Sequence, residues 1–188
     1  ILSGAPGTGK TMYAKSLAAE AETTTILISA EMIQQRHDVK TAFKLARRLS
    51  PSLIIIEDID TAGALDRRAS DHPLLGEFLQ SMDGIVPNHG VITLATTNHS
   101  NKIDPAIADR PGRFDRTISI DKPDLCDREE IFLVHLKPLK LADELTIESV
   151  AQRMAALTPG FAGADIANIC NEAAIFAARR TSAAVEMQ

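Results

Sequence analysis

Tryptophan is absent from the 188 residues and tyrosine occurs once, so aromatics make up only 4% of a chain that is 45% hydrophobic. The core must be built from Ile, Leu, Val and Ala, with a few Phe as its largest members. Cysteine is nearly missing too. Cys126 and Cys170 stand alone, without CxxC or zinc-ligand spacing. That excludes a disulfide framework and predicts two reduced, packed thiols in a cytoplasm-like compartment. No apolar run approaches the ~20 residues of a membrane-spanning helix, and no secretory leader pattern is read. A basic excess is also lacking: 20 Lys and Arg stand against 25 Asp and Glu, a formal net charge of -5. That balance argues against non-specific nucleic-acid binding.

What is present alternates between two periods. Short aliphatic, β-branched runs at 1–3, 25–29, 53–56, 91–97 and 117–120 predict strands. Between them, 12–21, 38–49 and 73–82 carry apolar residues at helical spacing. The run Leu53-Ile54-Ile55-Ile56 has no polar alternation, the mark of a strand covered on both faces. In 38–49 the apolar residues at helical spacing are Val39, Ala42, Phe43, Ala46 and Leu49, ended by Ser50-Pro51. In 73–82 the inward set is Leu74, Leu75, Phe78, Leu79 and Met82. Strands alternating with helices predict an α/β fold: a parallel five-stranded sheet flanked by helices. From residue 127 only helices are expected, at 128–136, 147–157 and 164–180, the last with Ile166, Ile169, Cys170, Ala173, Ala177 and Arg180 on one side. The expected division is an α/β nucleotide-binding domain over 1–123 and a small all-helical domain over 124–188, with the boundary at 121–124. The chain opens inside a strand and closes just after a helix, so it reads as a module of a longer protein. Membrane attachment of that parent cannot be read from it.

The chemistry starts at Gly4-Ala5-Pro6-Gly7-Thr8-Gly9-Lys10-Thr11, which fits the phosphate-loop pattern G-x-x-x-x-G-K-[ST] without mismatch. It lies between a strand end and a helix, the context the motif requires. Glycines allow a tight turn through positive φ. Successive backbone N–H groups then face an anion, and the helix start adds its positive dipole end. Residues Ala5, Pro6, Gly7, Thr8, Gly9, Lys10, Thr11 and Met12 are expected around a nucleoside triphosphate. Lys10 can reach the β- and γ-phosphates, and the Thr11 hydroxyl can ligate Mg²⁺.

Other groups are expected beside it. The aliphatic strand ends in Glu57-Asp58-Ile59-Asp60. Carboxylates at the carboxyl end of a parallel strand sit where ligands bind. Glu57 can hold Mg²⁺, directly or through water, and Asp58 can polarise the water that attacks the γ-phosphate. The next strand ends at Asn98, which can hold that water or the γ-phosphate; taken alone, an Asn there is a common turn former. Arg110-Pro111-Gly112-Arg113 predicts two guanidinium groups on a rigid exposed turn, suited to phosphate.

Together these residues resemble the AAA family of the AAA+ ATPases, over nearly the whole chain. On that resemblance 4–11 is Walker A, 53–58 is Walker B, Asn98 is sensor 1, and Arg110 and Arg113 are arginine fingers. Gly160-Phe161-Ala162-Gly163-Ala164-Asp165 looks like the start of the family's lid helix. Gly163 and Ala164 would then lie near the adenine or ribose. His135 matches a histidine that touches the nucleoside in the family; by pattern alone it is an ordinary residue of an amphipathic helix. The resemblance implies ATP and Mg²⁺ as cofactors. It also implies a homo-oligomeric ring, usually of six subunits, with fingers acting in trans and a protein as substrate; no nucleic-acid partner is expected.

The chain also departs from the family pattern. Most members carry Asp-Glu at the Walker B end, whereas here the order is Glu57-Asp58. Either hydrolysis is weakened, because the carboxylate is one methylene shorter, or the order is native to a clade. The mitochondrial inner-membrane AAA translocase that exports a folded protein has a similar strand end. The loop over 29–37 has neither the aromatic residue nor the glycine of unfoldase pore loops. The charged loop over 66–72 faces the central channel in the family, and by composition reads as a solvated loop. The segment over 160–180, by contrast, resembles FtsH-type proteases and proteasomal ATPases. The leading expectation is ATP hydrolysis that drives remodelling, disassembly or translocation of a protein. The alternative is a nucleotide-dependent assembly scaffold with little turnover. A DNA motor lacks its basic stripe, and a GTPase lacks an Asn-Lys-x-Asp motif.

Overall fold

The computed structural model describes residues 1–29, 33, 35–61, 73–83, 86–99, 101, 103, 112–142 and 144–180; side chains are not described at Arg36 or 73–76. The charged loop at 66–72, residues 30–32 and 34 of the 29–37 loop, Arg110, and the inward placement of Leu74 and Leu75 therefore lie outside the described residues.

The elements follow in order: β1 Leu2–Ser3, α1 Lys10–Glu20, β2 Thr24–Ser29, α2 Arg36–Arg48, β3 Ser52–Glu57, a single 3-10 turn Ile59–Thr61, α3 Pro73–Asp83, β4 Val91–Thr97, β5 Ile118–Ser119, α4 Leu125–Leu136, α5 Ile147–Leu157 and α6 Gly163–Arg179. The sheet is parallel throughout, in the order β2-β3-β4-β1-β5. By contacts the chain falls into two units. One comprises Ile1–Gly4 with Lys10–Ile120; the other comprises Ala5–Gly9 with Asp121–Gln188.

In the α/β unit the unbroken aliphatic run of β3 serves two cores. Successive strand side chains point to opposite faces. Ile54 and Ile56 join Val39, Phe43 and Ala46 of α2 and Phe78 and Met82 of α3. Leu53 and Ile55 join Leu2 and Ala14 on the other face. Each fully buried aliphatic side chain contributes about 1.5–3 kcal/mol, so β3 anchors the sheet. Register then brings the strand ends to one edge. Ile56 is opposite Ala95, and Ser3 is opposite Thr97. Glu57, Thr97 and Ser3 thus finish together.

The helical unit has its own core: Phe132 and Leu136 of α4, Val150, Ala151 and Ala155 of α5, and Ile166 and Cys170 of α6. Its helix starts are capped by side chains. Asp127 N donates to Asp124 Oδ1 at 2.9 Å, and Asp124 N donates to Asp127 Oδ2 at 3.1 Å. Ala162 N donates to Asp165 Oδ2 at 2.8 Å. Such caps satisfy N–H groups that the helix cannot.

One sequence expectation needs correction. Cys126 is exposed, not packed, because it lies in the first turn of α4 on the side away from Phe132; Cys170 is buried, and burial pushes its thiol pKa up. Leu49 is 41% exposed, since α2 ends at Arg48 and Leu49 is its C-cap, turned off the inward face. Arg180 is exposed for the same reason at the end of α6.

Candidate nucleotide site

The phosphate loop takes its shape from two glycines at positive φ, Gly7 at 77° and Gly9 at 94°. Gly7 is demanded twice over. A Cβ there would lie 2.9 Å from Ala164 Cβ, and its carbonyl accepts from Ala164 N at 3.1 Å. Gly163 is close as well: a Cβ on it would sit 3.4 Å from Gly7 O. The structure thus brings Gly7, Gly163 and Ala164 together. Gly9 has nothing within 4 Å of its missing Cβ, so that side of the turn is open. Thr8 Oγ1 ties the turn by donating to Ala5 O at 2.9 Å. Pro6 is exposed, Ala5 and Thr11 are half-buried, and Met12 is exposed.

Lys10 opens α1 and is 5% exposed. Its Nζ donates to Gly4 O at 2.8 Å. Burial lowers its pKa below the usual 10.5, while the carboxylates of Asp58 and Asp60 oppose that shift. A buried ammonium near carboxylates, at the start of a helix, is a cation held ready for an anion.

At the far end of β3 the chain turns sharply. Asp58 has φ 50°, a left-handed conformation that Asp and Asn adopt more readily than most residues. The shorter acid in the Glu57-Asp58 order therefore suits its backbone. Asp58 N donates to Thr96 Oγ1 at 3.0 Å, and Asp58 O accepts from Thr61 N at 2.8 Å and Thr61 Oγ1 at 2.7 Å. Across the gap, Asn98 Nδ2 donates to Asp58 Oδ1 at 3.1 Å. The two polar residues singled out at the ends of β3 and β4 are in direct contact.

Glu57 behaves differently. Its Oε1 is buried without a hydrogen-bond partner, with Lys15 Nζ 3.9 Å away. A buried, under-satisfied carboxylate oxygen fits the hard-oxygen preference of Mg²⁺. Thr11, one residue after Lys10, is half-buried and carries a hydroxyl.

Arg113 corrects the expectation of a freely exposed guanidinium. Its side chain is 14% exposed, and Nε donates to Asp83 Oδ2 at 2.8 Å. Gly112, at φ 86°, makes the turn before it. Asp83, the last residue of α3, was not legible as a partner because the pairing spans 30 positions. His135 is half-buried on α4 and makes no hydrogen bond with the described residues. Also unforeseen were Asp60, which accepts from Thr97 Oγ1 at 2.8 Å and from Asn98 N at 3.2 Å, and the Thr96 hydroxyl. The acidic run 57–60 was visible; which of its members faced β4 depended on the 3-10 turn, which no periodicity announces. Among the described residues no group of three or more His, Cys, Asp or Glu could hold a metal, and no helix is long and apolar enough to cross a membrane.

Comparison with known proteins fits this geometry. Residues 1–122 match the family model described as "ATPase family associated with various cellular activities (AAA)", and 147–188 match an AAA+ lid domain. The chain is 45% identical to the ATP-dependent zinc metalloprotease FTSH 3, mitochondrial, of Oryza sativa subsp. japonica, over 100% of this chain and 25% of that protein. It is 43% identical to the mitochondrial inner membrane m-AAA protease component AFG3L2 of Mus musculus, over 98% and 24%. It is also 43% identical to the ATP-dependent zinc metalloprotease FtsH of Rhodothermus marinus, over 100% and 28%. These relatives fall on the FtsH side of the mixed resemblance, and the chain spans about a quarter of their length. The chain belongs to the AAA family of ATPases, with ATP and Mg²⁺ as the cofactors of its nucleotide site.

Proposed function

We propose that the module hydrolyses ATP at the ends of β1, β3 and β4, and that turnover drives remodelling, disassembly or translocation of a protein by a ring of copies, a hexamer as in the family. The domain reading is an α/β nucleotide-binding part over 1–123 and a helical lid over 124–188. Lys10 and the N–H groups over 5–12 hold the phosphates. Thr11 and Glu57 hold the magnesium ion, which neutralises phosphate charge when bound. Gly163, Ala164 and His135 lie toward the nucleoside. Asp58 accepts the proton of the attacking water, whose oxygen bonds the γ-phosphorus as the bond to the ADP oxygen breaks. Asn98 orients that water. Arg113 and Arg110 of a neighbouring copy neutralise the transferring phosphoryl group, and release of Arg113 from Asp83 frees it to do so.

The observation that carries the reading is the Asn98 Nδ2 to Asp58 Oδ1 hydrogen bond. It joins the two residues that would share the water. The relatives named as mitochondrial or inner-membrane proteases support a protein substrate and a reducing, ATP-containing compartment for this module. The test is Asp58→Asn in the full-length protein. ATP binding should persist while turnover falls by at least ~10²-fold, the low end for removing a general base. Unchanged turnover would remove Asp58 from catalysis and favour a scaffold that binds ATP without using it.

A further inference from the structure

Asp60 lies in the one-turn 3-10 segment after β3 and has no role in the site as described so far. Its surroundings give it one. Oδ1 accepts from the Thr97 hydroxyl at 2.8 Å and from the Asn98 backbone N–H at 3.2 Å. The same Thr97 Oγ1 accepts from His99 N at 3.0 Å. The peptide groups on both sides of Asn98 are therefore fixed, one by Asp60 directly and the next through Thr97. Thr97 is 0% exposed, so this linkage is shielded from water. With its backbone pinned, the Asn98 side chain meets Asp58 Oδ1. The turn carrying Asp60 is itself locked by the two Thr61 bonds to Asp58 O.

We propose that Asp60 is a positioning residue for the ATPase reaction: its carboxylate clamps the end of β4 so that the Asn98 amide faces Asp58. The proposal rests on the reading of Asp58 and Asn98 given above. The described partners of the Asp60 carboxylate are the Thr97 hydroxyl and the Asn98 N–H. It acts through Asn98, and a displacement of 1 Å in such a group can cost ~10²-fold in rate. Coulombic attraction to the nearby Lys10 ammonium is a second consequence of the same placement.

The test is steady-state ATPase kinetics of the full-length, assembled protein. Asp60→Ala should lower kcat by ~10–100-fold while the KM for ATP stays within about threefold, because the phosphate loop is untouched. Asp60→Asn keeps an acceptor oxygen for both bonds and should lose less than about fivefold. Thr97→Val removes two bonds of the clamp, the one to Asp60 and the one from His99 N. Combined with Asp60→Ala it should lower kcat by less than the product of the two single effects, since residues in one network are not additive. Four results would overturn the proposal: Asp60→Ala with normal kcat, Asp60→Ala with kcat and ATP affinity falling together with the melting temperature, Asp60→Asn as damaged as Asp60→Ala, or a strictly additive double variant. Asp58→Asn run alongside separates the two levels. If it keeps full turnover, the catalytic reading fails; if it is dead while Asp60→Ala is normal, only the positioning role fails.

Discussion

The two units treat polar groups in opposite ways. In the helical unit no described buried side-chain nitrogen or oxygen lacks a hydrogen-bond partner. Arg128 is 7% exposed, yet Nε and Nη2 donate to Ala155 O at 3.2 and 2.9 Å and Nη1 donates to Pro123 O at 3.1 Å. Ala155 lies in the last turn of α5, where carbonyls lack helical partners and the dipole is negative, so a guanidinium is well placed. At the strand ends of the α/β unit the pattern reverses. Glu57 Oε1 is buried without a hydrogen-bond partner, Asp58 sits at φ 50°, and Lys10 is an ammonium whose pKa burial has lowered. At these strand ends a charged ligand would supply what is missing; Glu22, at φ 45°, and the orphaned Thr23 and Thr25 hydroxyls show the same features at the start of β2. The helical unit is built for its own stability; the edge of the sheet is built for something that binds there.

Two arginines, one half-buried and one buried, sharpen the contrast. Arg113→Ala should reduce turnover by ~10³-fold or more, the scale of an arginine finger, with little change in unfolding free energy. Its ion pair with Asp83 is partly solvated and contributes little. Arg128→Met should do the reverse. Loss of three hydrogen bonds to carbonyls should cost about 2–3 kcal/mol, because Ala155 O is left buried and unpaired. Urea unfolding and ATPase rates on the same two variants give both readouts. A destabilising Arg113→Ala with normal turnover would erase the distinction.

How much of this was legible follows from the physics of each signal. The parallel sheet and the presence of each helix were readable because periodicity and an aliphatic run such as 53–56 are local patterns; helix starts were not, α4 beginning at Leu125 and not at Arg128 because its cap is the polar Asp124. The phosphate loop was readable because its glycines must be glycines. Arg128 was not: a charged residue in a helix reads as solvated, and only the return of α5 supplies its acceptors. Asp83 and Asp60 were hidden likewise, since their partners lie 30 and 37 residues away. The exposure of Cys126 was misread because its rank among buried residue types says nothing about which side of a first turn it occupies.

The smallest expected effect concerns Lys10 in the ligand-free protein. Folding lowers its pKa, so between the lowered value and 10.5 the unfolded chain binds more protons. Stability from this group therefore rises as pH climbs through that window and is at its least below it. Lys10→Met should abolish ATP binding, raise the melting temperature of the ligand-free protein at neutral pH, and flatten its rise at alkaline pH. A fall in melting temperature at neutral pH would show that the Gly4 hydrogen bond outweighs the burial of the charge.

The central claim is that one ATP site is completed by Arg113 of a neighbouring copy, and mixing two inactive variants tests it. Asp58→Asn keeps its finger and Arg113→Ala keeps its site. Co-assembled at equal amounts, about a quarter of the head-to-tail interfaces would join an intact site to an intact finger. The account predicts that turnover absent from either variant alone returns on mixing. Mixed rings that stay inactive, although they form and bind ATP, would contradict it.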